Sequence, residues 1–345
     1  MAEKTNIYIE NNESQKPQIN LARSTASRMW LVNLCAFMAI VQSSLSDSYS
    51  SLFVALGAVS AAVLTEFLLF GRNEKMILNG SAVATALILT LLLPNRISPI
   101  YSAAGAFFGI AIIKKSFGGL GANWLNPAAG GWLFVRFSWP AVFTNALSGS
   151  PLSSLGNGVI SSNINGFFAA PTPMDGILNS FFNRTIFSLL GVELPAGYMD
   201  LFASRFPGII ADRGVFALLL GTLIIIASQV NRSWIPLVYL AVFGILVRFF
   251  GGQDGAMYGD ILFALCTGGT LVAAFFLAAD PATGAKSRRG IFFATAAAGG
   301  ISFVFRFFGN EPYGVVFAAV FINAMLPVIR VFERHRLFER KGAAS

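Results

Sequence analysis

The sequence predicts an all-α protein that crosses a membrane many times, and three observations carry that reading. Charged residues make up only 12% of the 345-residue chain, against roughly 25% in ordinary soluble domains. Hydrophobic residues make up 55%, and the mean hydropathy is +0.67. The apolar residues are gathered into ten runs, several of them close to the roughly 20 residues that a helix needs to cross a bilayer. This composition excludes a soluble globular enzyme.

The elements follow in order. Residues 1–28 are polar and lack the apolar core and small-residue cleavage site of a signal peptide, so they read as a tail. Five spans come next, at about 29–46, 50–70, 78–94, 97–115 and 126–146, and form a first unit over 29–146. Residues 147–212, rich in Ser, Asn, Gly and Pro, are too long and polar for a tight turn. They read as a functional loop. Five more spans, at about 213–230, 233–250, 258–279, 288–306 and 312–331, form a second unit over 213–332, and a basic tail follows at 333–345. Helix stops and polar clusters such as GRNEK, PNRIS, GGQDG and GNEP separate the spans.

Charge then sets orientation. With the N-terminus in the cytoplasm, 17 Lys and Arg fall on that side and 7 on the other. The positive-inside rule therefore predicts cytoplasmic termini and an extracytoplasmic 147–212 loop. The same distribution explains the net charge of +8 without a nucleic-acid partner. An odd number of spans in each half makes the halves inverted, so the expected architecture is ten transmembrane helices in two inverted five-helix repeats. Spans 78–94 and 258–279 support this, since both open on a Gly-plus-polar step and end at Pro.

Hydrolytic chemistry is not visible. There is no GxSxG and no phosphate loop, and the single histidine, His335, lies in the basic tail. Cys35 and Cys266 sit inside apolar runs, so no metal or iron–sulfur site is expected. The informative polar residues stand at helix ends. In GGLGANWLNPA, glycines let the backbone leave the helix at membrane depth, which is tolerated where it lines a cavity or is buried in protein. If that turn is helical, Asn123 and Asn126 share a face. Their carboxamides suit the mixed donor and acceptor edge of a flavin ring or another heterocycle, or else they cap the helix opening at Pro127. Asp280, in LAADPATG, is either a helix terminus or a functional carboxylate beside the apolar slab. Glu66 and Asp260, the other acids within spans, either pair internally or line an ion route.

Five motifs in order, NGSAVATALILTLLLP, KKSFGGLGANWLNPA, SWIPLVYL, FFLAADPATG with SRRG, and RFFGNEPYGVVFAAVFINAMLPVI, resemble the D subunits of Rnf complexes, the ion-translocating ferredoxin:NAD oxidoreductases. The B subunit of the sodium-pumping NADH:quinone oxidoreductase is a close relative of that family. The resemblance covers about residues 75–332, and the short N-terminal tail favours the Rnf D subunit.

The resemblance implies a urea-transporter-like fold and an FMN held by a phosphoester bond to a loop threonine. The matching string is Ala169-Ala170-Pro171-Thr172-Pro173-Met174, which makes Thr172 the acceptor; a surface-turn threonine between two prolines is the plain reading of the same string. It also implies a second, non-covalent riboflavin near the cytoplasmic side, associated with Asn123, Asn126 and Asp280. Phe276, one turn before Asp280, matches an aromatic that the family places along the ion route. Implied partners are the other subunits of a multi-subunit redox complex, including a second covalent flavoprotein and iron–sulfur subunits, together with the lipid bilayer and Na+ or H+. The implied location is the bacterial inner membrane. The expected function is that of a flavin-carrying subunit of a redox-driven ion pump, inactive alone and contributing to the ion pathway. The alternatives are a B-subunit-like component of a sodium-pumping NADH:quinone oxidoreductase, or a passive channel or transporter for a small polar solute, which an inverted repeat equally supports.

Overall fold

The computed structural model describes residues 24–45, 50–70, 79–119, 121–147, 172–190, 193–205, 208–230, 232–252, 256–309 and 311–342. Among these residues the structure is helical, with one isolated β-bridge between Pro94 and Ile209. The first half contains α1 (Thr25–Leu45), α2 (Ser50–Phe70), α3 (Ser81–Leu92), α4 (Pro99–Phe108), α5 (Pro127–Ser138) and α6 (Pro140–Leu147). After it come α7 (Pro173–Phe182), α8 (Tyr198–Phe202) and α9 (Ile210–Arg213). The second half contains α10 (Val215–Ala227), α11 (Trp234–Phe250), α12 (Ile261–Cys266), α13 (Thr270–Val272), α14 (Arg288–Phe303) and α15 (Gly314–Gly342). Helices α4, α7, α13 and α14 each run on into a π-helical segment, at Gly109–Lys115, Asn183–Phe187, Ala273–Leu277 and Val304–Phe308.

Four helical stretches, Thr25–Leu45, Ser50–Leu69, Arg288–Phe308 and Gly314–Val331, are long and apolar enough to cross a membrane. About a third of each is buried inside the protein. The rest remains apolar: Leu56, Leu64 and Leu68 of α2 are all exposed. A helix that is hydrophobic all round yet mostly uncovered needs lipid as its solvent. Three shorter apolar helices, Ser81–Leu92, Val215–Ala227 and Trp234–Phe250, accompany them. The chain is therefore a multi-pass helical membrane protein.

Small residues set the close packing, as expected where apolar lipid removes the hydrophobic drive between helices. A Cβ on Gly131 of α5 would lie 2.4 Å from the carbonyl oxygen of Gly105 in α4, so the two backbones touch directly. Helix α2 packs on α4, and α11 packs on α14. Helix α1 packs on α10, and Trp132 of α5 donates to the Leu92 carbonyl at the end of α3 (2.8 Å).

Several sequence-level boundaries change. Helix α1 starts at Thr25 rather than near residue 29, because Ser24 caps it: the Ser27 amide donates to the Ser24 hydroxyl (3.1 Å). The span expected at 126–146 divides at Trp139, ahead of Pro140, whose ring cannot continue a helix. The span expected at 258–279 breaks between Cys266 and Thr270, where Gly268 and Gly269 adopt φ of 64° and 71°. Such left-handed backbone suits residues without a Cβ. The described residues of 172–213 are largely helical, at Pro173–Phe182, Asn183–Phe187, Ser188–Leu190, Tyr198–Phe202 and Ile210–Arg213, while 148–171 lie outside the described residues. Helix α15 continues through the expected tail to Gly342, since RVFERHRLFERK is made largely of good helix formers without Gly or Pro.

Candidate functional site

A cavity of about 400 Å³ forms where α1, α3, α5 and the π-helical segment Ala273–Leu277 meet, and Asn123, Asn126, Phe276 and Asp280 all line it. Residues 121–126 carry no helix, so the two asparagines do not share a helical face as the spacing allowed. Irregular backbone brings both to the cavity instead. Asn126 is the N-cap of α5, and its side-chain oxygen accepts from the Ala128 and Ala129 amides (3.0 and 3.3 Å). That is the capping role, with Pro127 at the first helical position. The other end of the same carboxamide donates to Asp280 Oδ2 at 2.9 Å. Asn126 therefore caps a helix and binds the carboxylate at once.

Asp280 follows the π-helical end of α13 and is held by its own turn. Its Oδ1 accepts from the Ala282 amide (3.0 Å) and its Oδ2 from the Thr283 hydroxyl (3.2 Å). Burial raises its pKa above the ordinary carboxylate value, while these bonds and the nearby Lys286 oppose the rise. A second cavity of about 600 Å³ adjoins the first, sharing Arg28, Val230, Asp280, Pro281 and Lys286 with its lining and adding Arg232. Asp280 thus lines both cavities.

Asn123 is buried, and its side-chain oxygen has no hydrogen-bond partner among the described residues. A buried acceptor without a donor costs roughly 1–3 kcal/mol, so this oxygen is available to an N–H or O–H donor. A flavin ring presents such a donor beside acceptors, and the residues present fit it. Phe275 and Phe276 line the same cavity as apolar surface.

The other acids read from the sequence are partnered. Glu66 pairs with Lys114, which also donates to the Ser81 hydroxyl at 2.7 Å. Lys114 is only 2% exposed. The charge count treats it as a cytoplasmic flank, but it lies inside the protein at the edge of the same cavity. Asp260 caps α12 by accepting from the Phe263 amide (3.0 Å), and it accepts from the Tyr198 hydroxyl (2.5 Å). Burial, with Asp260 adjoining, holds the Tyr198 phenol well above its ordinary pKa, so it stays a donor.

Thr172 lies elsewhere. It caps α7, accepting from the Asp175 amide at 3.3 Å. Its hydroxyl donates to Asp200 Oδ1 (2.6 Å) and its amide to Asp200 Oδ2 (2.9 Å). Asp200 is two residues from Tyr198, which binds Asp260 at the start of α12. Asp280 follows the end of α13. Thr172 and the Asn123–Asn126–Asp280 group therefore occupy opposite ends of the α12–α13 segment. Other elements agree: near the start of α1, Thr25 and Arg28 line the cavity, whereas Gln42 near its end donates to the Phe202 carbonyl (2.8 Å) beside Asp200.

Sequence reasoning missed a third polar group. Arg306, 3% exposed, fills the break between α12 and α13. It donates to the Ala264 and Thr267 carbonyls (2.7 and 2.8 Å) and to the Thr270 hydroxyl (2.9 Å). Asp212 accepts from the Gly269 amide (3.0 Å) on the same break. An arginine inside the apolar run FVFRFF, and separately a Thr-Gly-Gly-Thr interruption at 267–270 of an earlier apolar run, were the available signals. Asp175 and Asp200 were also missed, because each acts on backbone or hydroxyl groups distant in sequence.

Comparisons with known proteins agree with this picture. The family model described as NQR2, RnfD, RnfE matches residues 12–339. The D subunit of the proton-translocating ferredoxin:NAD(+) oxidoreductase complex of Clostridium ljungdahlii is 32% identical over 92% of this chain and 93% of its own length. The D subunit of the ion-translocating oxidoreductase complex of Alcanivorax borkumensis is 29% identical over 96% of this chain and 97% of its own. The protein of the same name from Stutzerimonas stutzeri is 29% identical over 85% of both chains. With a model match over nearly the whole length, the chain belongs to the NQR2, RnfD, RnfE family.

Proposed function

We propose that this chain is the flavin-carrying membrane subunit of a redox-driven Na+ or H+ pump of the Rnf type. It works within a complex that passes electrons between ferredoxin and NAD, beside a second covalent flavoprotein and iron–sulfur subunits, in a bacterial inner membrane. In this reading the chain has ten transmembrane helices in two inverted five-helix repeats, with both termini cytoplasmic. Thr172 carries FMN through a phosphoester bond on the extracytoplasmic side. Asn123, Asn126 and Asp280 hold a riboflavin or a cation on the cytoplasmic side.

The observation that supports this most is the pairing of Asn126 with Asp280, 154 residues apart, in a cavity that also holds the unpartnered Asn123 oxygen. A bound flavin supplies electron transfer in ones or twos. The protein's part is narrower. Asn123 offers an acceptor, Asn126 fixes the carboxylate, and Asp280 takes up a proton or a cation according to the charge beside it. Phe276 lines the route to that carboxylate with apolar surface. Lys114 is already neutralised by Glu66, and Asp280 is the carboxylate of the cavity lining, with Arg28 and Lys286 as cationic neighbours. At the other end, the Thr172 hydroxyl is the attachment point.

The test is the flavin content of the full-length chain expressed with its complex and flavin transferase. We expect an FMN adduct on the Thr172 peptide by mass spectrometry, and a second flavin released by denaturation. Thr172→Ala should remove the first and leave the second. A colourless, unmodified wild-type chain would overturn the reading and favour a passive conduit for a small polar solute.

A further inference from the structure

Resting on the assignment of Thr172 as the flavin acceptor, we infer that Asp200 is the base that activates the Thr172 hydroxyl for attachment, with Arg205 neutralising the phosphoryl group that arrives there. A threonine hydroxyl is a weak nucleophile and needs a base within hydrogen-bond reach. Asp200 Oδ1 accepts directly from Thr172 Oγ at 2.6 Å, and Oδ2 accepts from the Thr172 amide at 2.9 Å. Both carboxylate oxygens accept from Thr172, which points the hydroxyl proton toward the base, and Oδ1 also faces Arg205.

The carboxylate is itself held in place. Asp175, 1% exposed, lies one turn into α7 and accepts from the Gly197 amide (2.8 Å), the Met199 amide (2.9 Å) and the Asp200 amide (3.2 Å). Helix α7 thus carries the acceptor at its cap and, through Asp175, the backbone of the base. Capping alone does not explain the arrangement. The cap needs only a lone pair on Thr172 Oγ, which accepts from the Asp175 amide and would still do so after esterification. The hydroxyl proton is free of that duty, and it is the proton that Asp200 receives. Asp200 is 3% exposed, whereas its ion-pair partner Arg205, at 3.8 Å, has a side chain 54% exposed. The acid faces inward to the hydroxyl and the cation faces the solvent from which a flavin nucleotide comes.

The step balances with a flavin dinucleotide as donor. An ester made from FMN itself would have to expel water, whereas a phosphoanhydride of FMN expels AMP. The Thr172 Oγ–P bond forms and the anhydride P–O bond breaks, with its electron pair leaving on AMP. The hydroxyl proton passes to Asp200 and then to solvent. The new phosphodiester anion lies beside the Asp200 carboxylate, and Arg205 offsets that repulsion.

The experiment follows FMN occupancy of the Thr172 peptide by mass spectrometry over time, in membranes holding the full chain, the flavin transferase and flavin dinucleotide. Asp200→Asn keeps the shape and loses the base; we expect attachment at least ten-fold slower near pH 7, recovering as pH rises and hydroxide takes over. Asp200→Glu should restore a large part of the wild-type rate. A folded Asp200→Asn chain that is modified at the wild-type rate would overturn the inference. If that variant does not fold, Arg205→Gln, on an exposed side chain, is read instead: several-fold slower attachment is expected, and an unchanged rate would overturn the pair. Wild-type chain that never acquires flavin on Thr172 would instead remove the acceptor assignment on which the inference rests.

Discussion

Lys114 and Glu66 form an ion pair in which each side chain is only 2% exposed, joining the π-helical end of α4 to α2 across 48 residues of sequence. Two buried charges are stable together and costly apart; removing one partner of such a pair typically costs about 3–5 kcal/mol. Glu66→Gln should therefore lower the thermal midpoint of the purified protein markedly, because it leaves a buried ammonium beside the cavity. The double variant Glu66→Gln/Lys114→Met should recover most of the loss. A double variant no more stable than Glu66→Gln alone would show that the two residues act independently.

Arg306 makes a different kind of demand, since it closes a break in the backbone rather than pairing with a single acid. Its guanidinium donates to two carbonyls and two threonine hydroxyls across Ala264–Thr270. A lysine carries the charge but not the fork of donors. Arg306→Lys should leave buried acceptors unsatisfied, at about 1–3 kcal/mol each. The readout is Cys266, which is 4% exposed next to the break. In a Cys35→Ala background, maleimide labelling of Cys266 should speed up at least ten-fold in Arg306→Lys. Unchanged labelling would mean that the break holds without the fork.

Asp280 should make stability depend on pH in a definite direction. Burial raises its pKa in the folded chain, whereas an unfolded aspartate ionises near about 3.9. The folded state therefore binds the proton more tightly. Its contribution is fully present below the unfolded value and is lost as pH rises through the folded one. Asp280→Asn mimics the protonated form, so its thermal midpoint should be flatter than wild type between acid and neutral pH and higher at neutral pH without added Na+. Parallel profiles for the two proteins would mean that Asp280 does not titrate in this range.

The parts of this fold that were legible in the sequence are those written in local signals. Asn-Pro at 126–127 and Asp-Pro at 280–281 mark helix ends, and the structure places both side chains on one cavity. The burial of Lys114 was not legible, because hydropathy treats a lysine after an apolar run as an interfacial flank and its acid lies two spans earlier. The break at Gly268 was hidden for a related reason. A window average over 258–279 stays apolar whether the helix is whole or split, and only Arg306, 38 residues later, fills the gap. Asp200 was invisible at the Thr172 motif because it comes from 28 residues downstream.

Thr172 and Asp280 should face opposite sides of the membrane. Tyr198 binds Asp260 at the start of α12, and Asp280 follows the end of α13, so the segment between them separates the two groups. Helix α1 repeats the relation, with Arg28 at the cavity and Gln42 bound to Phe202 and Ser204. At 1.5 Å per residue, a helix of 21 residues such as α1 spans roughly 30 Å, the thickness of the hydrocarbon core. With the buried Lys114 and Arg306 set aside, the basic residues divide 16 against 6, and the positive-inside rule predicts that the cavity end is cytoplasmic. Ala196 and Arg289 are both exposed and flank the two groups in sequence. In a background lacking Cys35 and Cys266, Ala196→Cys should react with a membrane-impermeant maleimide added to intact cells, and Arg289→Cys should react only after the membrane is opened. The reverse pattern would invert the topology while keeping the two groups apart. Labelling of both positions from one side would break the separation itself, and with it the transfer of electrons between two faces that the proposed function requires.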